Sequence, residues 1–303
     1  MPAPNTQSGP EFDPQAVRCV GIIAAPHKPR IAAAARRVVD WFQARGIRAL
    51  LPADRAAALG LAELGAGLGE LVGQVDFLLA MGGDGTFLAA SRLAAPHGRP
   101  VLGINLGGFG FLAALPRAGM LEALAEVMEG RFRLERRTML EARVVRDGET
   151  TATFHALNDI VVGKGAFSRL FRLHMSISGD PVSNFPVDGI IVATPTGSTG
   201  YALSAGGPVV SPQVRALIVA PICSHDLTAR ALVVPPDDVV ELALSDPRGD
   251  EVQLTADGQE GLALQAGDRV EVREAPFPAL LICPENASFY AKLRGKFGWM
   301  GLR

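Results

Sequence analysis

The sequence predicts two folded domains in one chain: an α/β domain with an open parallel sheet, then an all-β sandwich or barrel. Three observations carry this. Strand-like and helix-like segments alternate through the first half, which implies parallel strands covered by their connecting helices. Past about Arg131, short β-rich runs recur between turn dipeptides, and helical periodicity nearly vanishes until Ser288. The length, 303 residues, suffices for two ordinary domains and a substantial core.

In chain order, 18–25 (RCVGIIAA) is a continuous apolar run with β-branched members, the pattern of a strand buried on both faces. Residues 31–45 place Ile31, Val38, Trp41 and Phe42 at helical spacing, with Gly46 as the stop. A second strand is expected at 47–51 and a helix at 61–72, although Gly65, Gly67 and Gly69 weaken the latter. Strands follow at 76–81 and 101–105, and an amphipathic helix at 117–129. Later strands are expected at 139–145, 151–155, 159–162, 171–178, 190–194, 216–220, 239–244, 251–255 and 269–273. Asp147-Gly148, Gly179-Asp180 and Asp257-Gly258 supply turns between them. The expected organisation is a disordered lead-in (1–16), the α/β domain (17–131), the β domain (132–288) and a tail (289–303) returning to the first domain.

Composition narrows the class. The chain is 48% hydrophobic and 20% charged, with mean hydropathy +0.23. No window approaches the roughly eighteen unbroken apolar residues of a membrane helix. The first fourteen residues hold no apolar h-region, so no secretory signal is expected, and a cytoplasmic location is. A net charge of −2 and a pI near 6.2 lack the footprint of a general nucleic-acid binder. Cys19, Cys223 and Cys283 are far apart in apolar surroundings, as reduced core residues rather than a disulfide framework or zinc site. His27, His97, His155, His174 and His225 show no metal-ligand spacing, so no protein metal ligand is assigned. Walker, kinase His-Arg-Asp and Gly-x-Ser-x-Gly signatures are missing.

Three clusters carry chemistry. Gly82-Gly83-Asp84-Gly85-Thr86 follows an apolar strand and opens a helix. Glycines let a backbone approach a ligand without Cβ obstruction, and amides at a helix N-terminus face anions. A loop that only cradled phosphate would gain nothing from a central carboxylate. Asp84 therefore reads as a base, as a metal-bridged group, or as a plain helix cap. The second cluster, 103–110 (GINLGGFG), follows the neighbouring strand, where crevices of open α/β sheets form. It reads equally as part of a site or as a connection with Phe109 and Phe111 tucked into the core. In the third, 194–208 (TPTGSTGYALSAGGP), hydroxyls such as Thr196 and exposed amides suit ribose and phosphate oxygens, and Tyr201 offers a stacking face. Asn158-Asp159 interrupts an apolar β run; it suits an adenine edge and sugar hydroxyls, or an Asx-turn.

GGDGT, Asn-Asp, DGI, TPTGSTGY and SAGGP stand in the order and spacing of the bacterial NAD kinases, and the chain resembles that family from about Cys19 to Gly298-Trp299. GGDGT alone is shared with diacylglycerol and sphingosine kinases; TPTGSTGY-x-x-SAGGP after DGI is far more selective. The resemblance implies a Rossmann-like N-terminal domain, a C-terminal β-sandwich, an active site between them, and a homodimer or homotetramer. It implies phosphorylation of the adenosine-ribose 2′-hydroxyl of NAD to give NADP, with ATP or polyphosphate as donor and Mg²⁺ or another divalent cation. By the same resemblance Asp84 matches the acceptor of the hydroxyl proton, while Gly82, Gly83, Gly85 and Thr86 form the loop facing the phosphates. Asn158 and Asp159 match an adenine- and ribose-holding pair that is Asn-Glu in most relatives. Arg169 falls near the dinucleotide, and Asp188 matches the DG aspartate. Thr199, Gly200, Tyr201, Ala202, Leu203 and Ser204 match the wrapping loop, Gly200 replacing the usual Ala. Cys223, two before His225, and Gln259 are near contact positions. Pro186 departs from the Arg of many Gram-negative relatives. The alternatives are a lipid kinase, which would show a membrane-docking surface, and a non-catalytic NADP-binding protein, which would lack the acid at Asp84.

Overall fold

A computed structural model describes residues 12–25, 29–107, 110–113, 115–165, 171–222, 228–244 and 251–299. The chain forms two compact units, Met1–Arg136 with Ala279–Arg303, and Arg137–Pro278.

In the first unit, β1 (Cys19–Ala24), α1 (Pro29–Gln43), β2 (Arg48–Pro52), α2 (Ala53–Ala58), β3 (Gly65–Ala66) and α3 (Leu68–Gln74) come first. β4 (Phe77–Gly82), α4 (Asp84–Ala94), β5 (Val101–Asn105), β6 (Leu115–Pro116), α5 (Met120–Met128) and β7 (Arg133–Arg137) follow. From the chain's far end come β20 (Ala279–Cys283) and α7 (Phe289–Phe297). The sheet runs β3-β2-β1-β4-β5-β20-β7, with β6 beside β5, and β3 through β20 are parallel. This is the expected Rossmann-like sheet. β1 and β4 are buried almost throughout, as their unbroken apolar runs require, and Ile22, Phe42, Phe77, Leu79 and Ile104 centre the core.

Four readings of this unit need correction. Residues 61–72 do not form one helix. A 3₁₀ turn (Ala62–Leu64) leads into β3, and α3 starts after Gly67. Gly65 is the reason: it pairs with Leu51, and a Cβ there would stand 3.1 Å from the Ala62 carbonyl oxygen. Residues 12–16 are not a disordered lead-in. Phe12 packs edge-on against Phe77 and Phe132, at 5.4 and 5.5 Å, and Asp13 caps a 3₁₀ turn at Pro14–Ala16. Residues 279–288 leave the β domain earlier than expected, because the apolar run Ala279–Cys283 is buried as β20 beside β5. The last helix, expected from the sequence over 288–293, runs on to Phe297 and is closed by Gly298 in the left-handed region.

The second unit is the expected antiparallel sandwich. Its strands are β8 (Leu140–Arg146), β9 (Glu149–Ala156), β10 (Asp159–Lys164), β11 (Phe171–Ile177), β12 (Asp180–Val187) and β13 (Gly189–Ala193). After the one-turn helix α6 (Tyr201–Ser204) come β14 (Leu217–Ile222), β15 (Leu232–Val234), β16 (Val240–Leu244), β17 (Val252–Ala256), β18 (Glu260–Leu264) and β19 (Arg269–Glu274). One sheet runs β15-β14-β13-β10-β17-β18 and the other β12-β11-β16-β19-β8-β9. Leu140, Val144, Leu242 and Val270 from one face meet Ile160, Val162, Val192 and Leu254 from the other. β12 carries Pro181 and Pro186, which hide it from a reading by pattern; an edge strand tolerates both.

Asp268, which is 1% exposed, anchors the turn into β19. Arg146 donates to both its oxygens (2.7 and 2.8 Å) and the Gln265 amide to one (2.8 Å). The Arg146 guanidinium thereby holds the Asp268 carboxyl below its ordinary value. A depressed folded value contributes stability above the unfolded value that is lost as pH falls through the folded one. Arg146→Met is expected to lower the urea midpoint at neutral pH, because it leaves the Asp268 carboxylate without its bidentate donor. Urea titrations should show that loss shrinking in acid.

Candidate functional site

Asp84 opens α4 at the carboxyl end of β4, beside β1, where the strand order reverses. Gly82 ends β4, and a Cβ on it would meet Thr86 Oγ1 at 2.3 Å. Gly83 caps the helix in extended conformation, and its carbonyl accepts from the Thr86 and Phe87 amides. No side chain caps α4. The Asp84 carboxylate reaches sideways instead: Oδ2 accepts from the Phe111 amide at 2.9 Å, Oδ1 from the Leu112 amide at 3.1 Å. Those amides belong to the loop after β5. The second glycine cluster thus gains a purpose, since a Cβ on Gly110 would fall 2.2 Å from Asp84 Oδ1. Gly108 and Phe109 lie outside the described residues. Gly85 is exposed and Thr86 half-buried on the same turn.

In the sandwich, Asn158 and Asp159 enter β10 on a frame held by Asp257. Its carboxylate accepts from the amides of Leu157, Asn158 and Asp159, at 3.1, 2.7 and 3.2 Å. Asp257 and Gly258 both have positive φ, +51° and +63°, in the turn joining β17 to β18. The sequence reading took Asp257 for a turn residue only. The threonine-glycine loop packs on the same frame. Thr194 donates through its amide to the Asn158 carbonyl and through its hydroxyl to that of Leu157, and a Cβ on Gly197 would stand 2.1 Å from the Asn158 carbonyl oxygen. Asn158 Oδ1 is buried without a hydrogen-bond partner. Asp159 is 6% exposed, and burial, aided by the Asp257 charge, pushes its carboxyl up to about 7.

Gly200 faces these two side chains: a Cβ there would lie 3.6 Å from Asn158 Nδ2 and 3.8 Å from Asp159 Oδ2. Thr196 is buried and accepts from Arg137 at 3.3 Å. Thr199 is half-buried; along α6, Tyr201 and Ser204 are exposed, Ala202 buried and Leu203 half-buried. Asp188 is ion-paired with Lys164, at 2.7 Å. Both line a cavity of about 370 Å³ with Val161, Tyr201, Gln253 and Thr255. Gln259 is exposed beside Gly258. Arg169, Cys223 and His225 lie outside the described residues. The sequence missed the parts played by Asp257, Lys164 and the Phe111 and Leu112 amides, because only folding brings them to the motifs. Among the described residues no group of three or more His, Cys, Asp or Glu is placed to hold a metal ion, and no helix is long and apolar enough to cross a membrane.

Two family models match, the ATP-NAD kinase N-terminal domain over residues 20–132 and the C-terminal domain over 157–283. The chain is 45% identical to an NAD kinase of Moorella thermoacetica over 284 residues, 94% of this chain and 90% of that protein. The chain belongs to the NAD kinase family. It is accordingly an NAD-phosphorylating enzyme, and the lipid-kinase and non-catalytic alternatives are set aside. The fold agrees. A yeast NADH kinase, crystallised with NADH, superposes with a TM-score of 0.86 at 26% identity, covering 95% of this chain and 89% of that one. An NAD kinase from Archaeoglobus fulgidus in complex with ATP superposes at 0.72 and 25% identity, covering 93% and 100%.

Two predictions follow from the geometry. In Gly110→Ala the new methyl must push Asp84 off at least one amide, and NADP formation is expected to fall at least about tenfold. A steady-state assay reads it, and normal turnover would show that Asp84 does not need that placement. Asp159 titrates with the opposite sign to Asp268. A raised folded value contributes stability that is present below the unfolded value and lost as pH rises through about 7. Asp159→Asn removes that slope, so its melting temperature should gain on wild type between pH 5 and 8. A pH-independent difference would contradict the burial argument.

Proposed function

We propose that the enzyme transfers the terminal phosphoryl group of ATP to the 2′-hydroxyl of the adenosine ribose of NAD, with Asp84 as general base. The observation that carries this is the Asp84 carboxylate, held open at a helix start by two backbone amides rather than spent on a cap. As the ribose oxygen bonds to phosphorus, the bond to the ADP leaving group breaks and the hydroxyl proton passes to Asp84. A positioned carboxylate contributes roughly 10²–10⁴ in rate. The start of α4, with Gly82, Gly83, Gly85 and the Thr86 hydroxyl, faces the donor's phosphates. Alignment supplies the remainder, since phosphoryl transfer asks little covalent work of the protein.

NAD is held by the sandwich residues. The unpartnered Asn158 Oδ1 accepts from the adenine amino group, and Asp159 accepts from ribose hydroxyls, which favour its ionised form. Thr196, Thr199, Gly200, Ala202, Leu203 and Ser204 wrap the dinucleotide, while Tyr201 and Asp188 take the part that enters their cavity. Arg169, Cys223 and Gln259 complete this set. NADH and ATP, bound in the yeast and Archaeoglobus enzymes, match the two halves of the assignment. Mg²⁺ would be held by the donor's phosphate oxygens and water, where it would supply neutralisation of the donor's charge. Polyphosphate offers the same terminal group as a donor, and a homodimer or homotetramer completes the reading.

Asp84→Asn decides the central assignment. Asn keeps the size but cannot take a proton at neutral pH. Turnover is expected to fall by at least about 10²-fold with folding intact. NADP binding by calorimetry should persist. Near-normal kcat with an unchanged Tm would sink the base assignment.

A further inference from the structure

The last helix reaches the loop that holds this carboxylate. α7 starts at Ser288, whose hydroxyl accepts from the Ala291 amide, and buries Leu293 in the first unit. It follows β20, the strand next to β5, so helix and Asp84-holding loop leave adjacent parallel strands. One turn in, Lys292 Nζ donates to the Phe111 carbonyl at 2.8 Å. That carbonyl belongs to the peptide group whose N–H, on Leu112, donates to Asp84 Oδ1 at 3.1 Å. One peptide group therefore lies between an ammonium and a carboxylate, its dipole aligned with both. Each hydrogen bond polarises the group in the sense that strengthens the other. Lys296 Nζ lies 4.7 Å from the centre of the Phe111 ring, and Phe297 packs on that ring at 6.4 Å, holding the loop from the same helix. Among the described residues no cation pairs with Asp84 directly, so this peptide relay links it to positive charge.

We infer that Lys292 is a positioning residue for phosphoryl transfer, acting on Asp84 through the 111–112 peptide group. The inference rests on the base assignment proposed for Asp84. It makes α7, far along the chain from GGDGT, part of the catalytic apparatus.

Lys292→Met keeps the aliphatic stem and removes the ammonium. Because Asp84 is held more loosely, kcat is expected to fall about tenfold, with KM for NAD changed less than about twofold. Lys292→Arg should recover most of the rate. In an Asp84→Asn background, Lys292→Met should add nothing, since the group it acts through is gone. Should the Met variant melt early, a folded Lys292→Gln variant, with a neutral donor, makes the same comparison. Normal kcat in Lys292→Met beside a crippled Asp84→Asn overturns the inference and leaves the base assignment standing. An equal loss in both backgrounds also overturns it. Normal turnover in Asp84→Asn defeats the base assignment itself.

Discussion

Two backbone N–H groups that no helix or sheet uses, those of Phe111 and Leu112, end on the carboxylate of Asp84. Much of the first unit is arranged around that clasp. β4 must stop at Gly82 for α4 to start one residue beyond Gly83, and β5 must run beside β4 to deliver the loop. The loop must carry Gly110, because any side chain there would occupy the space of the carboxylate. A buried amide without an acceptor is costly, so the clasp satisfies the loop while it orients the acid. Helix α7 closes it from outside through the same peptide group.

The sandwich reaches its own site by a similar device. Asp257 collects the amides of three successive residues and so straightens the chain where Asn158 and Asp159 must present their side chains. Asp257 can do so because its turn holds it at positive φ, a conformation that aspartate enters more easily than most residues. Glycine at 197 then lets the threonine-rich loop settle on the Asn158 carbonyl. In both units a carboxylate organises backbone, and glycines permit the approach.

These devices explain what could be read from the chain alone. Apolar runs such as CVGIIA and FLLAMG announce buried parallel strands, and short β-rich runs set between turn dipeptides announce a sandwich. The motifs announced themselves because a glycine cluster with an acid or hydroxyls in it has few structural uses. What stayed hidden was long-range: Asp257 is 99 residues from Asn158, and Lys292 is 181 from Phe111. No periodicity relates them. β20 was hidden for the same reason, since a short apolar run says that it is buried but not in which sheet. Where glycine spacing contradicted helical pattern, at 61–72, the glycines decided the outcome.

Asp159 shows where site and stability diverge. A carboxyl at 6% exposure, beside the charge of Asp257 and with no described cation paired to it, is a poor choice for a sandwich that needs only to fold. Ionising it at neutral pH works against the native state, and nothing in the surrounding strand pairs requires an acid there. Its neighbour Asn158 carries a buried oxygen without a partner, a second penalty at the same spot. A buried acid next to an amide oxygen without a partner, both on a rigid frame, suits a ligand's donors. Hydroxyls and an amino group arriving together would relieve both penalties at once. Binding there would be favoured by partners that the fold itself does not supply, and the three amides on Asp257 keep the frame from relaxing to relieve the penalties.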